Sequence, residues 1–310
     1  MKILITGGAG FIGSFVADEL IARKHGVTII DNLSTGFAKN VNPAARFIKA
    51  DITDFARIER IFNEEAPEVV YHFAAQIDVR KSVADPMFDA RTNIMGTLNL
   101  IKLSSGLKIK KFIFSSTGGA IYGDTGDRPT NENHPEWPLS PYGIAKLAAD
   151  KFLNYYCRVF GLDYVSLRYG NVYGPRQNPH GEAGVVAIFL NRMFNGEQPV
   201  INGDGAQTRD YIYVDDVARY NVLALEGISR AGIYNVGTSI ETSVNSLFNE
   251  INKNFGGGFK EVHGPAKAGE QKTSCLSYEK IRNETGFSPQ TGFAEGIKKT
   301  YEWFRKEINK

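Results

Sequence analysis

The chain has 310 residues, 42% of them hydrophobic and 23% charged, with a formal net charge of +2. This mix suits a globular protein with one large domain and a smaller one, and it shows no basic or acidic bias toward nucleic acid or a membrane surface. Cys157 and Cys275 have no metal-ligand spacing, and no stretch approaches the about 20 apolar residues that cross a bilayer, so we expect a cytoplasmic protein without a metal.

The first half of the chain alternates short apolar runs with amphipathic helical patterns, which is typical of βαβ units around a parallel sheet. The predicted strands are 2–6, 27–31, 46–51, 69–73, 111–116 and a sixth that begins at Asp163. The pattern predicts an α/β fold with a Rossmann-type doubly wound parallel sheet in residues 1–174. The less regular residues 175–310 predict a smaller, mixed, mainly substrate-binding region, and a segment near 205–237 is expected to return to the sheet.

The stretch TGGAGFIG follows the first predicted strand and opens a helix. Gly8, Gly10 and Gly13 match G-x-G-x-x-G, and Gly7 begins the related G-x-x-G-x-x-G. Glycines here let backbone N–H groups and the positive end of the helix approach a pyrophosphate. Asp31 ends the second strand about twenty residues on, where a carboxylate binds the adenosine ribose and repels a 2′-phosphate. The spacing predicts binding of NAD rather than NADP.

The stretch SPYGIAKLAAD carries a tyrosine and a lysine four residues apart. Ser140 is a good N-cap and Pro141 suits the first helical position, so Tyr142 and Lys146 share one face of a helix. By itself this pattern also fits an ordinary amphipathic helix. A nearby ammonium, a cationic nicotinamide ring and a helix N-terminus would all favour the phenolate of Tyr142. The pair then predicts a general base that takes a hydroxyl proton as hydride leaves the same carbon.

With these motifs the chain resembles the extended short-chain dehydrogenase/reductase family, and most of all its nucleotide-sugar epimerases. The likeness runs nearly end to end through TGGAGFIGS, DNLSTG, KADITD, FAAQ, NIMGTLNL, FSSTGGAIYG, SPYGIAK, LRYGNVYGPRQ and GDGAQTRDYIYVDDVA. The resemblance implies an NAD-dependent 4-epimerase that interconverts UDP-hexoses, such as UDP-glucose and UDP-galactose or their N-acetylated forms, through a 4-keto intermediate. It also implies a homodimer formed by paired helices, including the one that carries Tyr142.

The resemblance further implies individual contacts. In the family a Ser or Thr after the fifth strand binds the sugar hydroxyl, and Thr117 is our first choice and Ser116 our second. The implied cofactor contacts are Gly7, Gly10, Phe11, Ile12, Gly13, Asp31, Asn32, Ser34, Thr35, Gly36, Asp51, Ile52, Phe73, Ala74, Ala75, Asn93, Ser115, Tyr142, Lys146 and Tyr169. The implied substrate contacts are Thr117, Tyr142, Asn171, Arg209, Lys267, Glu270 and Ser274.

Two of these positions depart from the pattern of relatives. In KAGE, Lys267 offers a point charge where the family has the bidentate fork of an arginine. Ser274 is small where some epimerases place a tyrosine beside the sugar, which suggests room for an N-acetyl group.

Related dehydratases need an acidic pair after the fifth strand, where this chain has Gly118 and Gly119. Dehydratase chemistry is therefore not expected.

Other functions stay open at this point. A UDP-uronate epimerase is one alternative, because Arg80 and Lys81 could meet a uronate carboxylate after the fourth strand. A nucleotide-sugar reductase is a second. A non-catalytic sensor of NAD or of a nucleotide sugar is a third, but a pure binding protein has no use for an ionised Tyr142 beside Lys146.

Overall fold

The computed structural model describes residues 1–180, 184–266 and 271–308. Its strands are β1 (Lys2–Thr6), β2 (Gly26–Asp31), β3 (Arg46–Lys49), β4 (Val69–His72), β5 (Lys111–Thr117), β6 (Tyr164–Tyr169), β7 (Asn171–Tyr173), β8 (Ile201–Asn202), β9 (Thr208–Tyr213), β10 (Gly232–Val236), β11 (Glu241–Ser243) and β12 (His263–Gly264). Its α-helices are α1 (Phe11–Ala22), α2 (Phe55–Glu65), α3 (Val79–Ala84), α4 (Pro86–Ala90), α5 (Gly96–Gly106), α6 (Gly118–Ile121), α7 (Pro141–Phe160), α8 (Val185–Phe194), α9 (Val214–Glu226), α10 (Val244–Asn254), α11 (Glu279–Thr285) and α12 (Phe293–Ile308). A 3-10 turn, Ala38–Asn40, and a π-helical turn, Arg91–Met95, complete the described elements.

Seven parallel strands form the main sheet in the order β3-β2-β1-β4-β5-β6-β10. This is the predicted Rossmann-type arrangement. The strand order reverses between β1 and β4, and at such a switch point a crevice opens beyond the carboxyl ends of the strands. The crevice places the loop after β1, the loop after β4 and the end of β5 on one edge of the sheet.

Helices cover both faces of the main sheet, which explains why its strands are continuous apolar runs. The core of α1 and α9 lies on one face, and that of α2, α5 and α7 lies on the other. Along β5 the side chain of Ile113 enters the first core while Phe112 and Phe114 enter the second, as the period of a strand requires.

The sequence after β6 differs from the prediction of one long sixth strand. Gly170 separates β6 from β7, and a β-carbon on Gly170 would lie 2.8 Å from the carbonyl oxygen of Asp210 in β9. β7 instead joins a mixed three-stranded sheet in the order β11-β9-β7, while β8 pairs with β12. β10 pairs with β6 in the main sheet, and the domain boundary at residue 174 stays a prediction.

A third core, built mainly from α8, α10, α12 and β9, lies in the C-terminal region. Within the described ranges, no helix has the length and apolar character needed to cross a membrane. The same ranges contain no group of three His, Cys, Asp or Glu side chains that could hold a metal ion.

Candidate active site

Gly7 and Gly13, in the loop after β1 and at the start of α1, have no room for a β-carbon. Gly7 has φ +74°, and a β-carbon there would lie 2.7 Å from the carbonyl carbon of Phe73. A β-carbon on Gly13 would meet the carbonyl group of Gly7, 3.0 Å from its carbon. Gly10 caps α1 without a side-chain hydrogen bond, and the first turn of α1 has no acidic residue. This loop therefore presents backbone N–H groups and the positive end of a helix to an anion. The half-buried Phe11 and Ile12 form the first turn of α1.

Asp31 joins this loop to the end of β2. Its carboxylate accepts hydrogen bonds from the backbone N–H of Ala9 at 3.1 Å and of Leu33 at 2.8 Å. Burial raises the pKa of Asp31, and the two N–H groups act in the opposite direction. The hydroxyl groups of a ribose would add donors that stabilise the ionised carboxylate.

The loops after β2 and β3 meet beside Asp51. Its carboxylate accepts hydrogen bonds from the side chain of Asn32 at 2.8 Å and from Thr53. Burial raises the pKa of Asp51, but these hydrogen bonds outweigh it, so the net shift is downward. Ile52 is buried next to Asp51, and the backbone of Gly36 packs so closely on the glycine loop that it has no room for a β-carbon. Ser34 and Thr35 are exposed in the same loop.

The segment after β4 lies against the glycine loop across the switch point. The backbone N–H groups of Phe73 and Ala74 both donate to the carbonyl oxygen of Thr6, at 2.9 and 3.1 Å. Phe73, Ala74 and Ala75 are half-buried. These three residues therefore form one side of the crevice, as the resemblance implies.

Asn93 is buried and braces the next part of this segment. Its Oδ1 accepts from the backbone N–H of Gln76 at 2.9 Å, and its Nδ2 donates to the carbonyl oxygen of Gln76 at 2.8 Å. The same Nδ2 donates to Asp89 Oδ1 at 2.9 Å. Sequence reasoning missed Gln76 and Asp89, although the spacing of four residues between Asp89 and Asn93 was available as a signal.

The helix that carries the tyrosine and lysine begins as predicted. The Ser140 hydroxyl accepts from the backbone N–H of Gly143 at 3.1 Å and caps α7. Lys146 Nζ lies 5.9 Å from the ring centroid of Tyr142 and donates to the carbonyl oxygen of Ser115 at 2.8 Å. The lysine therefore connects the tyrosine to the end of β5.

Burial dominates the pKa values of this pair in the protein without NAD. Burial lowers the pKa of Lys146 to about 8, against the opposing carboxylates of Asp150 and Asp89. Burial raises the pKa of Tyr142 well above its usual value, and Asp89 adds to that rise. The protein alone therefore favours the neutral phenol of Tyr142, because burial and the charge of Asp89 both disfavour the phenolate.

Three predicted substrate contacts converge on Gly119. A β-carbon on Gly119 would lie 3.8 Å from Ser274 Oγ and 3.9 Å from both Asn171 Oδ1 and Thr117 Oγ1. Thr117 ends β5, Asn171 begins β7, and the backbone N–H of Ser274 donates to β9. Polar side chains from three parts of the fold therefore lie at van der Waals distance around the β-carbon position of Gly119.

Ser116 faces away from these side chains. Its hydroxyl donates to Asp150 Oδ2 at 3.3 Å, and it is 4% exposed. Asp150 also accepts from the hydroxyl of Ser166 and pairs with the fully buried Arg168. Since successive residues of a strand point to opposite faces, the structure places Ser116 in a buried network beneath α7, and not beside Thr117.

The remaining predicted residues are placed as follows. Arg209 is half-buried on β9 and donates to the neighbouring backbone carbonyl at 2.8 Å. The side chain of Tyr169 lies in the core, with its hydroxyl paired to Asn221, so it offers the crevice only its backbone. Lys267 and Glu270 lie outside the described residues.

Comparison with known proteins identifies the family of this chain. The profile of the NAD dependent epimerase/dehydratase family matches residues 3–237. The chain belongs to this family. A UDP-glucose 4-epimerase from Mycolicibacterium smegmatis is 42% identical, with 99% of each chain covered. The crystal structure of a Thermotoga maritima UDP-glucose 4-epimerase with UDP-glucose has a TM-score of 0.97 and 48% identity over 99% of this chain and 100% of the other.

A second solved structure, a Thermus thermophilus UDP-glucose 4-epimerase in complex with NAD, has a TM-score of 0.93 and 43% identity over 98% of this chain and 99% of the other. As a member of the epimerase/dehydratase family, the protein described in the preceding sections uses NAD. The residues present fit that cofactor. The glycine loop excludes β-carbons where a pyrophosphate has to approach the backbone, and Asp31 lies where a ribose would donate to it.

Proposed function

We propose that the protein is an NAD-dependent 4-epimerase of UDP-hexoses that works through a 4-keto sugar. The observation that carries this proposal is the position of Tyr142 and Lys146 on one face of α7, joined to the end of β5 where Thr117 lies. The Thermotoga maritima relative, solved with UDP-glucose, supports the class of substrate.

The catalytic roles follow from this arrangement. Tyr142 takes the proton of the sugar 4-hydroxyl and later returns it, while the Thr117 hydroxyl hydrogen-bonds the same oxygen. The Lys146 ammonium favours the phenolate and binds the nicotinamide ribose. When bound, NAD supplies the hydride acceptor and donor at C4 and a positive charge beside the phenol. Because burial raises the pKa of Tyr142, the positive charge of bound NAD would add to that of Lys146 in favouring the phenolate.

The predicted cofactor contacts divide among the loops of the crevice. We propose that the glycine loop binds the pyrophosphate and Asp31 the adenosine ribose. Asp51 and Ile52 would lie at the adenine. The segment 73–75 would wall the cofactor, and Asn93 holds the end of that segment in place.

The nucleotide of the substrate would be bound by the C-terminal region. Asn171 and Arg209 are proposed to contact the diphosphate, for which an amide and a guanidinium are suitable donors. Lys267 and Glu270 remain the predicted partners of the second phosphate and the uridine ribose.

The side chains around Gly119 bear on the size of the sugar that the site accepts. Ser274 is buried there as a small side chain, followed by Cys275. We propose that an N-acetyl group at C2 of the hexose is accepted. Comparing kcat/KM for UDP-galactose and its N-acetyl counterpart tests this. A preference for galactose above about 100-fold would contradict a roomy pocket, since it exceeds what small changes in an apolar pocket usually cost.

Dehydratase chemistry is disfavoured by the same two glycines. A β-carbon on Gly118 would lie 2.6 Å from Leu276 Cδ2, so an acidic side chain cannot enter without displacing that leucine. Gly119 has no group that could move a proton. An epimerase, in contrast, needs no second acid–base pair.

A uronate substrate is the second candidate. The backbone N–H of Tyr142 donates to the Ser82 hydroxyl at 3.2 Å, so α3 borders the catalytic helix. Arg80 and Lys81 lie on this short helix. UDP-glucuronate therefore belongs in any substrate screen, and turnover faster than that of UDP-galactose would favour this candidate.

We also propose a homodimer formed through α7. Its exposed apolar side chains follow one face at spacings of three to eight residues: Ile144, Phe152, Tyr155 and Val159. Their exposed fractions lie between 36% and 56%. Together they form a larger exposed apolar stripe than is usual on a helix that faces only solvent. A second copy of the same helix would cover it.

Incubation with UDP-galactose and no added cofactor tests the proposed reaction. The protein as purified should form UDP-glucose without net accumulation of NADH, because the cofactor is regenerated in every turnover. Steady consumption of added NADH would indicate a reductase, and binding without turnover would indicate a sensor.

A further inference from the structure

Asp89 is a buried carboxylate with one oxygen engaged and one not. It lies on α4 and is 1% exposed. Its Oδ1 accepts from Gln76 Nε2 and from Asn93 Nδ2, both at 2.9 Å. Its Oδ2 is buried without a hydrogen-bond partner among the described residues. Such an oxygen costs free energy unless a nearby positive charge offsets its desolvation.

The cation that acts on Asp89 is Lys146, on a helix, α7, that packs against α4. Burial raises the pKa of Asp89, and the charge of Lys146 is among the effects that oppose this rise. Two carboxylates raise the pKa of Lys146 against the effect of burial, those of Asp150 and Asp89. Asp150 is already engaged by Arg168, at 2.9 and 2.8 Å. Asp89 has no such cation of its own within the described residues. It also raises the pKa of Tyr142, after the larger effect of burial.

The other titratable group that faces Lys146 comes from β4. The His72 ring is buried between the hydroxyls of Thr6 and Thr97, at 2.7 and 2.8 Å. Burial, with Lys146 adding to it, lowers the pKa of His72 well below its usual value. His72 is therefore neutral and brings no charge, so the charged groups that act on the lysine are the carboxylates of Asp150 and Asp89.

We propose that Asp89 is a positioning residue of the epimerase proposed above, and this role rests on that function. Its carboxylate holds the Lys146 ammonium in its charged form. Through Gln76 and Asn93 it also fixes the wall of the crevice against α7. One buried side chain thus links the charge of the catalytic lysine to the position of the segment after β4.

The role predicts how the pH profile responds when the charge of Asp89 is removed. Asp89→Asn keeps the shape of the side chain and an oxygen that can accept from Gln76 and Asn93. Removal of a nearby negative charge lowers the pKa values of both Lys146 and Tyr142. Both limbs of the profile of kcat against pH should therefore move to lower pH, by roughly half a unit or more. A purely structural role would lower kcat equally at every pH.

Asp85→Asn is the matched control. Asp85 is exposed and caps the same helix by accepting from the backbone N–H of Phe88 at 2.9 Å. Asparagine caps a helix as well as aspartate does, so this variant removes a charge near α4 without disturbing the helix. Its profile with UDP-galactose should match that of the wild type. The proposal would be overturned if the pH profile of Asp89→Asn coincided with that of the wild type, or if only its maximum kcat were lower.

A second readout does not depend on turnover. The near-ultraviolet absorbance of the Tyr142 phenolate is obtained by subtracting the titration of the Tyr142→Phe holoenzyme, with NAD bound in both. The midpoint should lie at lower pH in Asp89→Asn than in the wild type, and equal midpoints would overturn the proposal. If UDP-galactose is not a substrate, the kinetic experiment gives no signal but the absorbance titration still does. Failure of the proposed function can therefore be told apart from failure of the proposed role of Asp89. Asp89→Ser, small and uncharged, replaces Asp89→Asn if that variant does not fold.

Discussion

The ammonium of Lys146 donates a hydrogen bond of 2.8 Å to the carbonyl oxygen of Ser115. This contact joins α7 to the end of β5, so the helix with Tyr142 and the strand that ends at Thr117 are held together by a buried charge. The position is unfavourable for a lysine, because burial lowers its pKa to about 8. The buried ammonium therefore lowers the stability of the fold, while it places a charged group in the crevice.

Lys146→Met should unfold less readily than the wild type at pH 7 and should lose turnover. The pKa of Lys146 is lowered on folding from 10.5 to about 8, so the cost of its charge is fully present below pH 8. Between these values the unfolded chain binds more protons, and wild-type stability rises with pH. The gain in the free energy of unfolding is at most about 3 kcal/mol, at about 1.4 kcal/mol per pKa unit.

Urea denaturation of nucleotide-free protein at several pH values measures this gain, which should shrink as the pH rises from 8 toward 10. Lys151→Met, on the same helix but 61% exposed, should change stability little at any pH. A Lys146→Met variant that is less stable at pH 7, or whose gain does not vary with pH, would argue against the cost assigned to the buried charge.

Tyr142→Phe should lower kcat by about 10²- to 10⁴-fold, the usual contribution of a general base. Bound NAD and the melting temperature should stay near their wild-type values, because the ring is kept. Tyr155→Phe is the control, since Tyr155 lies on the same helix but is exposed. Full turnover by Tyr142→Phe would rule the tyrosine out as the base.

Thr117→Ala and Ser116→Ala should affect different quantities. Loss of the Thr117 hydroxyl should lower kcat by about 10- to 100-fold, the cost of one hydrogen bond to a charged or reacting group, and Thr117→Ser should restore most of it. Loss of the Ser116 hydroxyl removes a buried bond to Asp150 and should lower the free energy of unfolding by about 1 kcal/mol with little change in kcat. The reverse pattern would make Ser116 the catalytic hydroxyl.

Gly7→Ala should lose bound NAD and much of the stability of the fold. Gly161, at the end of α7, provides a matched control because it has the same φ of +74° but nothing within 4 Å of its β-carbon position. Gly161→Ala should cost only the strain of the left-handed conformation, about 1 kcal/mol. Equal effects of the two substitutions on melting temperature and NAD content would show that the close contact with the segment after β4 is unimportant.

Val159→Glu should convert a homodimer to a monomer, because it places a charge in the apolar stripe of α7. Val262→Glu makes the same change at a half-exposed valine of the C-terminal region and should leave the assembly intact. Sedimentation velocity gives the mass of each variant. A wild-type protein that sediments as a monomer would contradict the proposed dimer directly.

Much of the fold could be predicted from local patterns. β1 matches the predicted residues 2–6, and the other early strands differ from prediction by one or two residues at an end. The cap at Ser140 and the glycine loop also follow their sequence signals, since caps and tight turns depend on neighbouring residues. These features were predictable because their sequence signals are local, although the segment after β4 also packs against Gly7.

Features that depend on long-range packing were not predictable. The break at Gly170 arises from the close approach of β9, which lies 40 residues further on at Asp210. The role of Asp89 depends on how α4 packs against α7, and the raised pKa of Tyr142 depends on burial. The sequence indicates the ammonium, the cofactor and the helix N-terminus that would favour the phenolate, but it does not give the desolvation of Tyr142, which is the largest effect in the protein without NAD.

The proposed mechanism requires that hydride leaves C4 of the sugar and returns to it while Tyr142 handles only the hydroxyl proton. UDP-galactose that carries deuterium at C4 tests this most directly, with the purified protein in ordinary water and no added cofactor. The UDP-glucose formed should retain the deuterium at C4, because the hydride does not exchange with solvent. Replacement of that deuterium by solvent hydrogen would rule this mechanism out.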